Sequence, residues 1–203
     1  MKKVKIDADF IDMLKEVGNI CIGNAAVALS QVLNQKIGLS IPGLKIIDRD
    51  KLISELKDIP DILVGIRMQL LSNLTGNILL IFPEKSAYSL IDTVCSEQNK
   101  DNLGTKTEYG VSLLKEIGNI VISAYLGTLS SLSKKVILHS TPSLICGTLE
   151  TVCNIAFNEV LQDEVQIILL ETFFEIERKN IKGSFFIMFS PNNVKEFLEG
   201  SLK

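Results

Sequence analysis

Between Phe10 and Leu29 apolar residues return every three or four positions, and they do so again between Leu114 and Leu129. A period near 3.6 sustained this long predicts two amphipathic helices, over about 9–34 and about 107–132. On a helical wheel Phe10, Leu14, Val17, Gly18, Cys21, Ala25, Ala28 and Leu29 gather on one side of the first, as Leu114, Ile117, Gly118, Val121, Tyr125 and Leu129 do on the second. Those sides are core faces. Opposite them run two polar lines, Asp12, Glu16, Asn19 and Gly23 on the first helix and Ser112, Glu116, Asn119 and Ser123 on the second. Spacings of four, three and four stack these residues on successive turns. Thr105-Lys106-Thr107-Glu108 has the form of a capping box for the second helix, and Asp7 or Asp9 can cap the first.

After each long helix the period changes from 3.6 to that of strands. KIGLSIPGLKII (36–47) and KVILHSTPSLIC (135–146) are β-branched runs broken by a proline, which cannot donate to a ladder. A hairpin follows in each half: DILVGIRMQLL and TGNILLIF in the first, EVQIILLETFFEIE and GSFFIMF in the second, with the latter turn around 178–182. Each hairpin then meets a proline and a short helix, PEKSAYSLIDTVCSE and PNNVKEFLEGSLK. The order is the same twice over, and 15–44 aligned with 115–144 gives twelve identities in thirty. The chain reads as an internal duplication, repeat 1 over about 7–97 and repeat 2 over about 105–203, joined by a polar linker at 98–104. One long helix and a few strands cannot cover a sheet alone. The expectation is therefore an α/β (α+β) fold in which a single domain, 1–203, is built from two pseudo-symmetric repeats, with long helices packed on a largely antiparallel β-sheet.

Composition narrows the function. The chain has 203 residues, 46% apolar and 22% charged, a formal charge of -3 and a pI near 5.3. No dense Lys/Arg cluster accompanies this acidic balance, so nucleic acid is not an expected partner. The start, MKKVKIDADF, lacks the apolar segment of a signal peptide, and no run approaches eighteen consecutive apolar residues. A cytoplasmic protein without membrane insertion is expected. Cys21, Cys95, Cys146 and Cys153 have neither CxxC spacing nor histidine company, His139 being the sole histidine, and read as buried reduced thiols.

The polar lines carry the candidate chemistry. Apolar residues border them, Met13, Ile20 and Ile22 on one helix and Leu113, Ile120 and Ile122 on the other, which is the look of a docking surface. Asparagine is a poor helix-interior residue, yet it stands at the same place in both copies. An amide has a donor and an acceptor but no useful pKa; it can orient water and cannot act as a base. A carboxylate one turn away can pair with a cation on a partner. No nucleophile, metal-ligand set or phosphate loop stands beside them. The pair reads as an insert that completes a site on another molecule.

The pattern Asp/Ser, three residues, Glu, two residues, Asn, then Pro after twenty-two more resembles the signature of the CheC-type chemotaxis phosphatases, the CheC/CheX/FliY family. It reads Asp12, Glu16, Asn19, Pro42 and again Ser112, Glu116, Asn119, Pro142. Two copies, with little length left for a C-terminal switch domain, point to the CheC type. The resemblance implies hydrolysis of the aspartyl phosphate on the response regulator CheY, with Glu16, Asn19, Glu116 and Asn119 catalytic and Asp12, Ser112, Ile20 and Ile120 docking the partner. It implies no cofactor of the chain's own, Mg²⁺ being supplied by the phosphorylated regulator, and CheD as a further partner. The alternative is an adaptor that binds CheD or phosphorylated CheY with little turnover.

Overall fold

The structure, a computed structural model, describes residues 7–39, 43–56, 62–72, 74–95, 105–158, 166–176 and 181–198. Helix α1 (Ala8–Leu33) is followed by strands β1 (Gly38–Leu39) and β2 (Gly43–Asp48), a 3-10 turn (Arg49–Lys51) and α2 (Leu52–Glu55). Strands β3 (Leu63–Leu71) and β4 (Thr75–Pro83) then lead into α3 (Glu84–Cys95). The second half runs α4 (Thr105–Ser133), β5 (Ser143–Gly147), α5 (Leu149–Asn158), β6 (Gln166–Ile176), β7 (Ile181–Phe189) and α6 (Pro191–Leu198).

Both long helices begin and end as local chemistry dictates. Of the two cap candidates Asp7 is the one used: its carboxylate accepts from the Phe10 amide at 2.9 Å. Glu108 stands exposed in the first turn of α4, and the Thr105 and Thr107 side chains lie outside the described residues. At the other end Asn34 and Lys134 both adopt left-handed φ, 47° and 54°. The Gln35 and Lys135 amides reach back to the Ser30 and Ser130 carbonyls, and the Ser30 and Ser130 hydroxyls donate to the Gln35 and Lys135 carbonyls at 2.6 and 2.7 Å. The two helices stop by the same device.

The described strands form one seven-stranded sheet in the order β1-β6-β7-β4-β3-β5, with β2 also paired to β6, and every pairing is antiparallel. The halves are interlocked. Strand β2 pairs with β6 of the second half (Gly43↔Glu171 to Asp48↔Gln166), and β5 pairs with β3 of the first (Leu63↔Gly147 to Arg67↔Ser143). The two hairpins join at β4 and β7 in the centre. The helices cross over as well, Gly18 of α1 meeting Leu170 of β6 and Gly118 of α4 meeting Ile66 of β3.

Alternation along the strands gives the sheet two apolar faces. One carries α1 and α4, packed side by side, with α3 and α6 beside them; Leu14, Ile66, Ile78, Ile122, Leu170, Phe185 and Phe197 belong to that core. The other is covered by α2 and α5 through Leu52, Leu56, Val152, Cys153 and Ala156. Neither short helix is expected from the sequence pattern. Among the described residues no helix is long and apolar enough to cross a membrane.

Several expectations need correction. Ile22 and Ile122, taken as rim residues, are core residues at 6% and 0% exposure, because each lies one turn beyond Gly18 or Gly118 on the inward side. Ala28 is only half-buried. Strand β7 begins at Ile181 and pairs Lys182 with Glu175, so Ile181 and Lys182, expected in the turn at 178–182, are strand residues. Cys146, on edge strand β5, is exposed, whereas Cys21 and Cys153 are buried free thiols; the Cys95 side chain, Pro42 and the 98–104 linker lie outside the described residues.

Candidate functional site

Residues 12, 16 and 19 stand on successive turns of α1, facing away from the sheet, and Asp12, Glu16 and Asn19 are all exposed. On α4 Ser112 and Glu116 are exposed, and Asn119 is half-buried. Gly23 and Ser123, at the far ends of the two lines, are also half-buried. Of the expected docking residues Ile20 is 44% exposed and Ile120 is half-buried, while Met13 and Leu113 lean partly onto the core. The structure therefore brings each Glu and Asn together on one helix face with an isoleucine beside them. Pro142 sits just ahead of β5 and is half-buried.

Few internal contacts restrain these side chains. Lys15 Nζ lies 3.4 Å from Asp12 Oδ1, an exposed pair that contributes little to stability. Among the described residues no hydrogen bond or ion pair engages Glu16, Asn19, Glu116 or Asn119. A carboxylate and an amide left unengaged at a helix surface keep their hydrogen-bonding capacity for another molecule. Beyond Asn19, the Asn24 amide donates to Thr128 Oγ1 at 3.1 Å and ties the helices together. That bond has no signal in the sequence, since its residues are not equivalent in the two copies.

The groups beneath the lines are chemically quiet. Burial pushes the Cys21 thiol up to about 12, and burial with a further push from Cys21 holds the Tyr125 hydroxyl well above its ordinary value. Burial likewise takes Cys153 to about 12. Thiols kept protonated in this way are poor nucleophiles. What the face offers is a rigid carrier for a carboxylate and an amide, suited to entering a cleft elsewhere.

The CheC-like family model matches residues 11–46 and 110–146, the two segments that contain these lines. Over those two segments the chain is similar to the CheC-like family. It is 29% identical over 189 residues to the CheY-P phosphatase CheC of Bacillus subtilis, covering 90% of this chain and 89% of that protein. The crystal structure of Thermotoga maritima FliY has the same fold, with a TM-score of 0.74 at 24% identity, 97% of each chain being covered. The CheX-CheY-BeF3-Mg+2 complex from Borrelia burgdorferi also matches in fold, at a TM-score of 0.55 and 18% identity over 85% of this chain and 99% of that one.

Proposed function

We propose that this CheC-like chain is a phosphatase of the phosphorylated response regulator CheY, working from both helix faces. The observation that carries this reading is the pair of unengaged Glu/Asn couples, Glu16 with Asn19 and Glu116 with Asn119, presented alike on two helices. The name of the Bacillus subtilis relative supports it. An acyl phosphate already bound to its own Mg²⁺ asks mainly for a positioned nucleophile. Asn19 or Asn119 enters the regulator's site and holds a water in line with phosphorus by one donated and one accepted hydrogen bond. The water oxygen bonds to phosphorus, the bond to the aspartyl oxygen breaks, the aspartate leaves as carboxylate, and the water's protons pass to the phosphate released and to solvent. Glu16 or Glu116 pairs with a lysine beside the phosphoaspartate and fixes the register. Asp12, Ser112, Ile20 and Ile120 dock the regulator, and the chain needs no metal of its own. The reaction places it in the cytoplasm, and the family resemblance adds CheD as a second partner.

Phosphate release from acetyl-phosphate-charged CheY tests this. Loss of one orienting amide costs its site about 10²- to 10³-fold. Asn19→Ala and Asn119→Ala should each leave about one site's activity, and the double variant almost none. A double variant as active as the parent would remove the amide role. Tight binding by the parent with no release above the regulator's own rate would instead establish the adaptor, whose partner is phosphorylated CheY or CheD.

A further inference from the structure

The two polar lines continue one turn toward the helix N-termini beyond the shared motif, and there the copies part. Three residues ahead of Asp12 stands Asp9, and three ahead of Ser112 stands Tyr109; both are exposed, Tyr109 by 44%. The α1 line thus presents Asp9, Asp12 and Glu16 before its asparagine, and the α4 line presents Tyr109, Ser112 and Glu116. One line has three carboxylates and the other has one. Charges at the margins reduce the contrast without removing it. Lys15 lies beside Asp12, while exposed Glu108 and half-buried Lys115 offset each other along α4.

Local helix chemistry explains part of this difference. A carboxylate in the first turn is favoured by the helix dipole, which accounts for Asp9. That benefit has faded at Asp12, and a second carboxylate three residues from the first is unfavourable to the isolated helix. Tyr109 is not terminal, since α4 begins four residues earlier. A large aromatic half out of the surface, in line with the couple that meets the partner, is the residue type that anchors interfaces.

Resting on the phosphatase reading, we infer that positions 9/109 and 12/112 determine how each line docks. The α1 line engages cationic groups of the regulator through charge, and the α4 line engages the regulator through the Tyr109 ring. The two sites are the same tool on different handles.

Single-site variants separate the handles: Asn119→Ala leaves the α1 line working, and Asn19→Ala leaves the α4 line. Raising NaCl from about 50 to about 300 mM should raise KM of the α1 line about threefold more than that of the α4 line, with little change in kcat. Asp9→Asn with Asp12→Asn should flatten that response. In the Asn19→Ala background Tyr109→Ala should raise KM about tenfold, and Tyr109→Phe should restore most of it; neither should matter in the Asn119→Ala background. Equal salt responses, or a Tyr109→Ala effect on both lines or on neither, would overturn the inference. If no form releases phosphate, the phosphatase reading has failed and docking is read by titration with CheY charged with Mg²⁺ and beryllofluoride. Two binding components are then expected, the salt-insensitive one lost in Tyr109→Ala, and a single uniform component would overturn the inference.

Discussion

Helices α1 and α4 meet the sheet with nearly the same residues, but the fit is not the same. Leu14 and Leu114, Gly18 and Gly118, Ile22 and Ile122, and Leu29 and Leu129 face inward in pairs. Under α1 the wall beside Gly18 is the tip of Leu170, whose Cδ2 would lie 2.8 Å from an added Cβ; under α4 it is Ile66, whose own Cβ would lie at 2.9 Å. Two turns on, Ala25 is matched by Tyr125, which packs its ring 5.4 Å from that of Phe185. A leucine tip can rotate aside and the root of a β-branched strand residue cannot. The duplicated pattern therefore fixes which side of each helix is buried, while the closeness of approach is decided by the strand opposite, which belongs to the other half.

That crossing is where the largest effect is expected. Because β2 and α1 rest on β6, and β5 and α4 rest on β3, a half expressed alone keeps a hairpin and a helix without the surface each helix covers. Chains of 1–97 and of 105–203 should each lack a cooperative thermal transition by circular dichroism, and mixing them should restore one. A cooperative melt from either alone would break the picture of interlocked halves.

The next effect separates the two helices directly. Alanine at either glycine gains about 1 kcal/mol of helix propensity. At Gly118 overpacking against Ile66 costs about 2–3 kcal/mol, so Gly118→Ala should be destabilising by about 1–2 kcal/mol net. At Gly18 the Leu170 tip yields, and Gly18→Ala should lie within about 0.5 kcal/mol of the parent. Urea midpoints at constant slope read both. Equal shifts would show that the two seats are equivalent after all.

These differences explain what could be read from the chain beforehand. The long helices were legible because an apolar period held for more than twenty residues, and the outward direction of Glu16, Asn19, Glu116 and Asn119 followed from it. The short α2 and α5 were not: Val152, Cys153 and Ala156 of α5 make one turn of pattern, too little to stand out from a loop. Pairings such as Gly43 with Glu171 depend on fit between strands more than a hundred residues apart, and period alone does not encode it. The contrast between Asp9 and Tyr109 was hidden for another reason. It lies ahead of the repeated motif, which begins at Asp12 and Ser112.

The smallest expected effect lies on the far face of the sheet. Gly43 pairs with Glu171 as Ser143 pairs with Arg67, so these two charged residues occupy matching seats. Arg67 is buried and donates through Nε to Asn77 Oδ1 at 2.8 Å. Glu171 is half-buried, with Lys45 Nζ 3.9 Å away and Lys45 also 3.8 Å from Glu55. Burial raises the Glu171 carboxyl above its usual range, and Lys45 opposes the shift without cancelling it. A carboxyl raised on folding holds its proton more tightly in the folded chain, so its contribution is most favourable below the unfolded carboxylate range and is lost as pH rises through the folded value. Glu171→Gln should therefore gain stability relative to the parent as pH climbs from about 4 toward neutrality. Denaturant midpoints across that range supply the test. A difference that stays flat with pH, or that turns against the variant, would mean that the Lys45 contact outweighs burial and that Glu171 is seated as securely as Arg67.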